Sequence, residues 1–155
     1  MKMNKTQVTV VIVSMNKEMF VIDCISSILK YTKVKFDIIL VAYLFDKNSL
    51  NTIREKFPLI EIIESNSIRG FAENNNLALR NVNTPYTFVL NDDTLFKMDV
   101  LSELIDCIES PINATLVSPI LYNLDGSVQF AGRRKYTFTS FVLSQLGFRN
   151  VTKSK

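Results

Sequence analysis

The chain alternates between short, almost uninterrupted apolar runs and longer stretches in which apolar residues recur every three or four positions. Val8-Thr9-Val10-Val11-Ile12-Val13 is β-branched and nearly all apolar, which predicts a strand covered on both faces, as parallel strands are. Phe20, Val21, Cys24, Ile25, Ile28 and Leu29 then fall at helical spacing and predict a helix with one apolar stripe. The same alternation predicts a strand over 36–42, and a short helix through Leu50, Ile53 and Phe57 stopped by Pro58. It continues with a strand over 59–63, a helix over 70–82 carrying Phe71, Leu77 and Ala78, and a strand over 84–90. Val100, Leu101, Leu104, Ile105 and Ile108 mark a further helix, and residues 114–121 a fifth strand. Asp125-Gly126 predicts a turn into a short antiparallel return over 128–130. Residues 138–148 fit one amphipathic helix, and 149–155 a frayed end.

Strands alternating with helices at this spacing predict the α/β class, with a mainly parallel sheet. At 155 residues the chain suits a single domain over 1–155, with an ordered core over about 7–136 and a C-terminal helix or tail over 137–155. A hydrophobic content of 47% with only four Gly and four Pro excludes collagen-like and disordered classes. The net charge of +3 is small and, apart from Arg133-Arg134-Lys135, dispersed, so charge gives no indication of nucleic acid binding. The run 8–13 is far short of the ~20 residues that span a bilayer, and no signal-peptide pattern precedes it. A cytoplasmic protein is expected, at most peripheral at the inner membrane face. Cys24 and Cys107 fall in helical patterns and read as small core residues. The absence of His excludes His-assisted nucleophilic chemistry and His-containing zinc sites, and leaves carboxylates and amides to hold any metal.

The candidate chemistry lies at Asn91-Asp92-Asp93, directly after the predicted strand over 84–90. Oxygen ligands at the carboxyl edge of a sheet suit a hard cation and a phosphate, because Mg²⁺ or Mn²⁺ is held by one or two carboxylates together with substrate phosphates. The same residues also make turns and helix caps, so the tripeptide alone leaves a metal site and a capped turn both open. Three more loops leave the same edge, at 14–17, 43–48 and 66–70, and a doubly wound sheet brings such loops to one crevice.

These loops carry a resemblance. Val11-Ile12-Val13-Ser14-Met15-Asn16, Arg69-Gly70-Phe71-Ala72-Glu73-Asn74-Asn75-Asn76, Leu90-Asn91-Asp92-Asp93-Thr94, and Leu124-Asp125-Gly126-Ser127 with Gly132-Arg133-Arg134 resemble, in order and spacing, the GT-A glycosyltransferases of family 2. The likeness covers residues 8–136 and points to the rhamnosyltransferase-like branch that builds bacterial surface polysaccharides. It implies a Rossmann-like three-layer αβα sandwich and an inverting transfer of a sugar from a nucleoside-diphosphate sugar to a saccharide acceptor, with Mg²⁺ or Mn²⁺ as cofactor. Carried over residue by residue, it implies Asp93 as metal ligand with Asn91 beside it. Ser14, Met15, Asn16, Ala42, Arg69, Asn75, Asn91 and Asp92 would lie at the nucleotide sugar.

The chain departs from the family pattern in three ways. Met15 stands where an aromatic residue often stacks near the base, and Ala42-Tyr43 replaces an acidic pair whose first carboxylate commonly reads the base. Asp46 is the nearest carboxylate that could swing towards that pocket. The acidic residue that acts as general base in the family's second half has no counterpart here, so no catalytic residue is assigned, and the resemblance implies the donor-binding half, truncated or degenerate. A binding or assembly module, working as a homo-oligomer or with a partner chain that supplies the acceptor half, is the rival reading. A nucleotidyltransferase is disfavoured because no Gly-rich phosphate loop follows the first strand.

Overall fold

A computed structural model describes residues 7–67, 69–111 and 114–129. The chain divides into two compact units, Met1–Val117 and Ser118–Lys155. The first runs β1 (Val8–Met15), α1 (Glu18–Tyr31), β2 (Phe36–Tyr43), α2 (Lys47–Lys56), β3 (Glu61–Ser65), α3 (Phe71–Leu79), β4 (Tyr86–Asn91) and α4 (Val100–Glu109). Its four strands are all parallel, in the order β3-β2-β1-β4. The second unit contributes a hairpin of β5 (Leu121–Tyr122) and β6 (Val128–Gln129), turned through Gly126 at φ 83°.

Side chains alternate across the pleat, so each strand feeds two cores. Val8, Val10 and Ile12 of β1 join Ile38 and Leu40 of β2 and Leu90 of β4 against α1, α2 and α4. Val11 of β1 with Ile39 and Val41 of β2 meet Ala78 of α3 on the opposite face. The result is the expected three-layer αβα sandwich. The layering follows from strand order: β1→β2→β3 steps one way and β3→β4 steps back, and crossovers of one hand then place the third helix on the other face.

Several local expectations shift. In α1 the buried stripe is Val21, Ile22, Cys24, Ile25 and Ile28, while Phe20 and Leu29 face solvent, so the stripe keeps its spacing and rotates by one position. β3 begins at Glu61 because the chain turns at Pro58 and Leu59, where Leu59 is 97% exposed. The expected fifth strand over 114–121 does not form: among the described residues only Leu121–Tyr122 pairs, and it pairs with Val128–Gln129 rather than with the parallel sheet. Pro119 offers no backbone N–H to a ladder, and Leu116 and Ile120 lie exposed. The expected helix over 138–148 lies outside the described residues.

Ile12, with no exposed surface, fills the larger core at the centre of β1. Ile12→Ala is expected to cost ~2–5 kcal/mol in urea unfolding, and Leu59→Ala to leave the midpoint almost unchanged.

Candidate functional site at the carboxyl edge of the sheet

Register brings the strand ends level. Met15 of β1 pairs with Tyr43 of β2, and Val13 of β1 with Asn91 of β4. The strand order reverses between β1 and β4, which is the switch point where open α/β sheets bind ligands. At that point Ser14, 2% exposed, donates its Oγ hydrogen to Asp92 Oδ2 at 2.5 Å. The length is that of a hydroxyl donating to a carboxylate.

The residues after the tripeptide are clamped onto α1. Ser27 Oγ accepts from the Phe96 N–H at 2.9 Å and donates to the Cys24 carbonyl at 2.7 Å. Cys24 Sγ lies 3.8 Å from the Asn91 carbonyl, which also accepts from the Thr94 N–H at 3.3 Å. Phe96 is buried and meets Phe88 edge to face, with ring centroids 6.1 Å apart. Asn91-Asp92-Asp93 is therefore a turn, but it caps no helix: α4 starts at Val100, and its cap is Asp99, which accepts from Ser102. The turn uses the Asp92 carboxylate and leaves the Asn91 and Asp93 side chains exposed.

Neighbouring loops are tied in the same way. Asn16 sits in the left-handed region at φ 48°, a conformation Asn tolerates, and its Oδ1 accepts from the Asp46 N–H at 3.2 Å. The Asp46 carboxylate itself caps α2, accepting from the Asn48 and Ser49 N–H groups and from Ser49 Oγ. Those bonds, from Ser49 above all, hold its pKa below the ordinary carboxylate value. Asp46 is thus engaged at the helix end rather than free to replace the carboxylate missing at Ala42. Ala42 is 1% exposed and packs in the larger core, whereas Met15 is 55% exposed at the rim. The Arg69 side chain is exposed, and its N–H donates to the Tyr43 hydroxyl at 3.4 Å. Asn75 is buried, with Nδ2 donating back to the Phe71 carbonyl at 2.9 Å.

The structure thus joins Ser14 to Asp92 and Asn16 to Asp46, and sets Asn91 and Asp93 beside the Ser14–Asp92 pair. Among the described residues no three Asp, Glu, Cys or His side chains form a metal cage. Asp93 and Asn91 suit a hard cation whose remaining ligands are phosphate oxygens and water, as Mg²⁺ sites commonly are. Sequence reasoning missed the roles of Cys24, Ser27 and the Tyr43 hydroxyl, because each depends on contacts between distant segments. A cavity of about 430 Å³ opens at the opposite edge, lined by residues that include Thr9, Asp37, Glu61, Asn81 and Thr84, away from all of these groups.

A family model described as glycosyl transferase family 2 matches residues 9–153. The chain belongs to glycosyl transferase family 2. Solved structures place this family 2 chain in the GT-A fold. One is the mannosyltransferase PcManGT from Pyrobaculum calidifontis in complex with GDP-Man and Mn²⁺, at TM-score 0.60 and 20% identity, covering 69% of this chain and 33% of its own. Another is S. aureus TarS 1-349, at TM-score 0.56 and 15% identity over 67% of this chain and 32% of its own; it has also been solved with UDP. The chain spans about a third of the length of these structures. No curated protein sequence matches it. Among the described residues no helix of this family 2 chain is long and apolar enough to cross a membrane.

Burial, and then the charges of Asp92 and Asp93, push the Cys24 thiol up to about 12 from an ordinary value near 9. A raised folded pKa means that this contribution to stability is complete below pH 9 and is lost as pH rises towards 12. Alkylation of the native protein at pH 8 is expected to label the exposed Cys107 and to spare Cys24 until the protein unfolds. Ser14→Ala, which removes the hydroxyl from Asp92, is expected to lower stability by ~1–3 kcal/mol in urea unfolding.

Proposed function

We propose that this chain is the donor-binding part of a glycosyltransferase that moves a sugar from a nucleoside-diphosphate sugar to a saccharide acceptor, with inversion, in surface polysaccharide synthesis. Family membership and the GT-A fold support the reaction class. The observation that carries the reading is the division within the tripeptide: Asp92 is held by Ser14, and Asp93 and Asn91 remain exposed at the switch point between β1 and β4. Asp93, with Asn91 beside it, would hold Mg²⁺ or Mn²⁺, and such a cation neutralises charge on a departing diphosphate. PcManGT, solved with GDP-Man and Mn²⁺, supports that cofactor and donor class by analogy.

The chain's own residues would bind and orient. Ser14 fixes Asp92, Asn16 links the first loop to the second, and Met15 offers an apolar rim to the nucleotide. The exposed Arg69 guanidinium would meet the anionic part of the donor. No side chain is assigned as general base. A second reading, a binding or assembly module that pairs with a chain supplying the acceptor half, is favoured by Ala42, whose buried methyl group replaces a base-reading carboxylate.

Thermal shift with UDP, GDP and their sugar conjugates, with and without Mn²⁺, tests the proposal. A ligand present at 100 times its Kd is expected to stabilise the protein by ~2.7 kcal/mol. Asp93→Ala is expected to abolish the Mn²⁺-dependent part of the shift. Folded wild-type protein that responds to no member of the panel would refute donor binding.

A further inference from the structure

Arg69 is held at its backbone from two sides. Tyr43, the last residue of β2, accepts the Arg69 N–H on its hydroxyl, and Asn74 of α3 donates Nδ2 to the Arg69 carbonyl, each at 3.4 Å. The next residue is fixed as well, since the Gly70 N–H donates to Glu73 Oε2 at 3.1 Å. Both anchors of Arg69 are buried: Tyr43 is 9% exposed and Asn74 2%. Each bond is long and weak alone, but one comes from the sheet and the other from the helix, so together they fix one peptide segment between two layers. Asn74 Oδ1 is buried without a partner, so the bond to Arg69 is the one its carboxamide makes among the described residues. The Arg69 side chain, by contrast, is exposed and makes no ion pair among the described residues.

This arrangement falls where β2 lacks the expected carboxylate. The Ala42 methyl group points into the core, while Tyr43, on the opposite face, reaches the loop that precedes α3. We propose that Tyr43 and Asn74 are positioning residues that hold the Arg69 backbone so that its guanidinium is preorganised for a nucleoside diphosphate. The inference rests on the donor-binding reading above. Fixing the segment matters because an exposed Arg on a loose loop would lose backbone freedom as well as rotamer freedom when it binds an anion, and the two anchors remove the backbone share in advance.

The test is a double-mutant cycle in affinity for UDP and GDP with Mn²⁺, measured by calorimetry on the full chain. Tyr43→Phe removes the hydroxyl and keeps the ring, and is expected to weaken binding roughly three- to tenfold, the loss typical of one hydrogen bond. Arg69→Ala is expected to weaken it more, and Tyr43→Phe added to Arg69→Ala to cause no further loss, because the hydroxyl acts only through Arg69. Asn74→Ala should show the same dependence on Arg69 and serves if Tyr43→Phe does not fold. Equal losses from Tyr43→Phe with and without Arg69, or no loss at all, would overturn the positioning role while wild-type binding kept the donor reading intact. Absence of wild-type binding would instead remove the donor reading and this inference with it.

Discussion

The parallel pairing of β1 with β2 on one side and β4 on the other is the constraint on which the other features depend. That register puts Ser14, Tyr43 and Asn91 at one edge although they are far apart in sequence. It also divides the strand side chains between two cores, so α1, α2 and α4 cover one face and α3 the other. Four loops then leave the edge together; Phe45 and Phe96 anchor two of them in the larger core, and polar contacts tie the loops to one another. The Ser14 hydroxyl, the Asn16 carboxamide and the Tyr43 hydroxyl each bond the backbone or side chain of another loop.

Such stitching separates the supporting groups from the exposed ones. Within Asn91-Asp92-Asp93, alternation at the end of β4 sends Asp92 towards Ser14 and the α1 side, and leaves its two neighbours facing solvent. Beneath them lies Cys24, a neutral thiol in a buried position, where a further charge would compete with the carboxylates. The resulting negative charge is concentrated but uncaged. An edge of that kind suits a cation that arrives with its own phosphate ligands better than a cation held by protein alone. For a chain without His, such an edge would suit the donor proposed above, with a cation carried on its diphosphate.

Much of the fold could be read from the chain because buried parallel strands are nearly continuous apolar runs, as in Val8 to Val13, and because helical spacing is local. The errors are equally physical. Phe20 and Leu29 satisfy the helical period as well as Val21 and Ile28 do, and only packing against the sheet decides which stripe is buried. Residues 114–121 are apolar enough for a strand, but Ser118-Pro119 interrupts them, and of these described residues Leu121 alone pairs, with Gln129 of the hairpin. At the site, the tripeptide was legible because it directly follows a strand. The Ser14–Asp92 bond was not, since it joins residues 78 positions apart and exists only once β1 and β4 are in register. Asp46 shows the converse: its place in the loop after β2 is legible in the sequence, but its engagement as the cap of α2 is not.

The central claim is that a divalent cation and a nucleoside diphosphate meet at the edge between β1 and β4. Paramagnetic broadening of backbone amides by Mn²⁺ in the presence of UDP or GDP tests it residue by residue. The account predicts the strongest loss of signal at Asn91 to Thr94, with Ser14 to Asn16 next and Arg69 to Phe71 more weakly affected. Broadening centred on Asp37 and Glu61 at the opposite edge, or none that depends on the nucleotide, would contradict it.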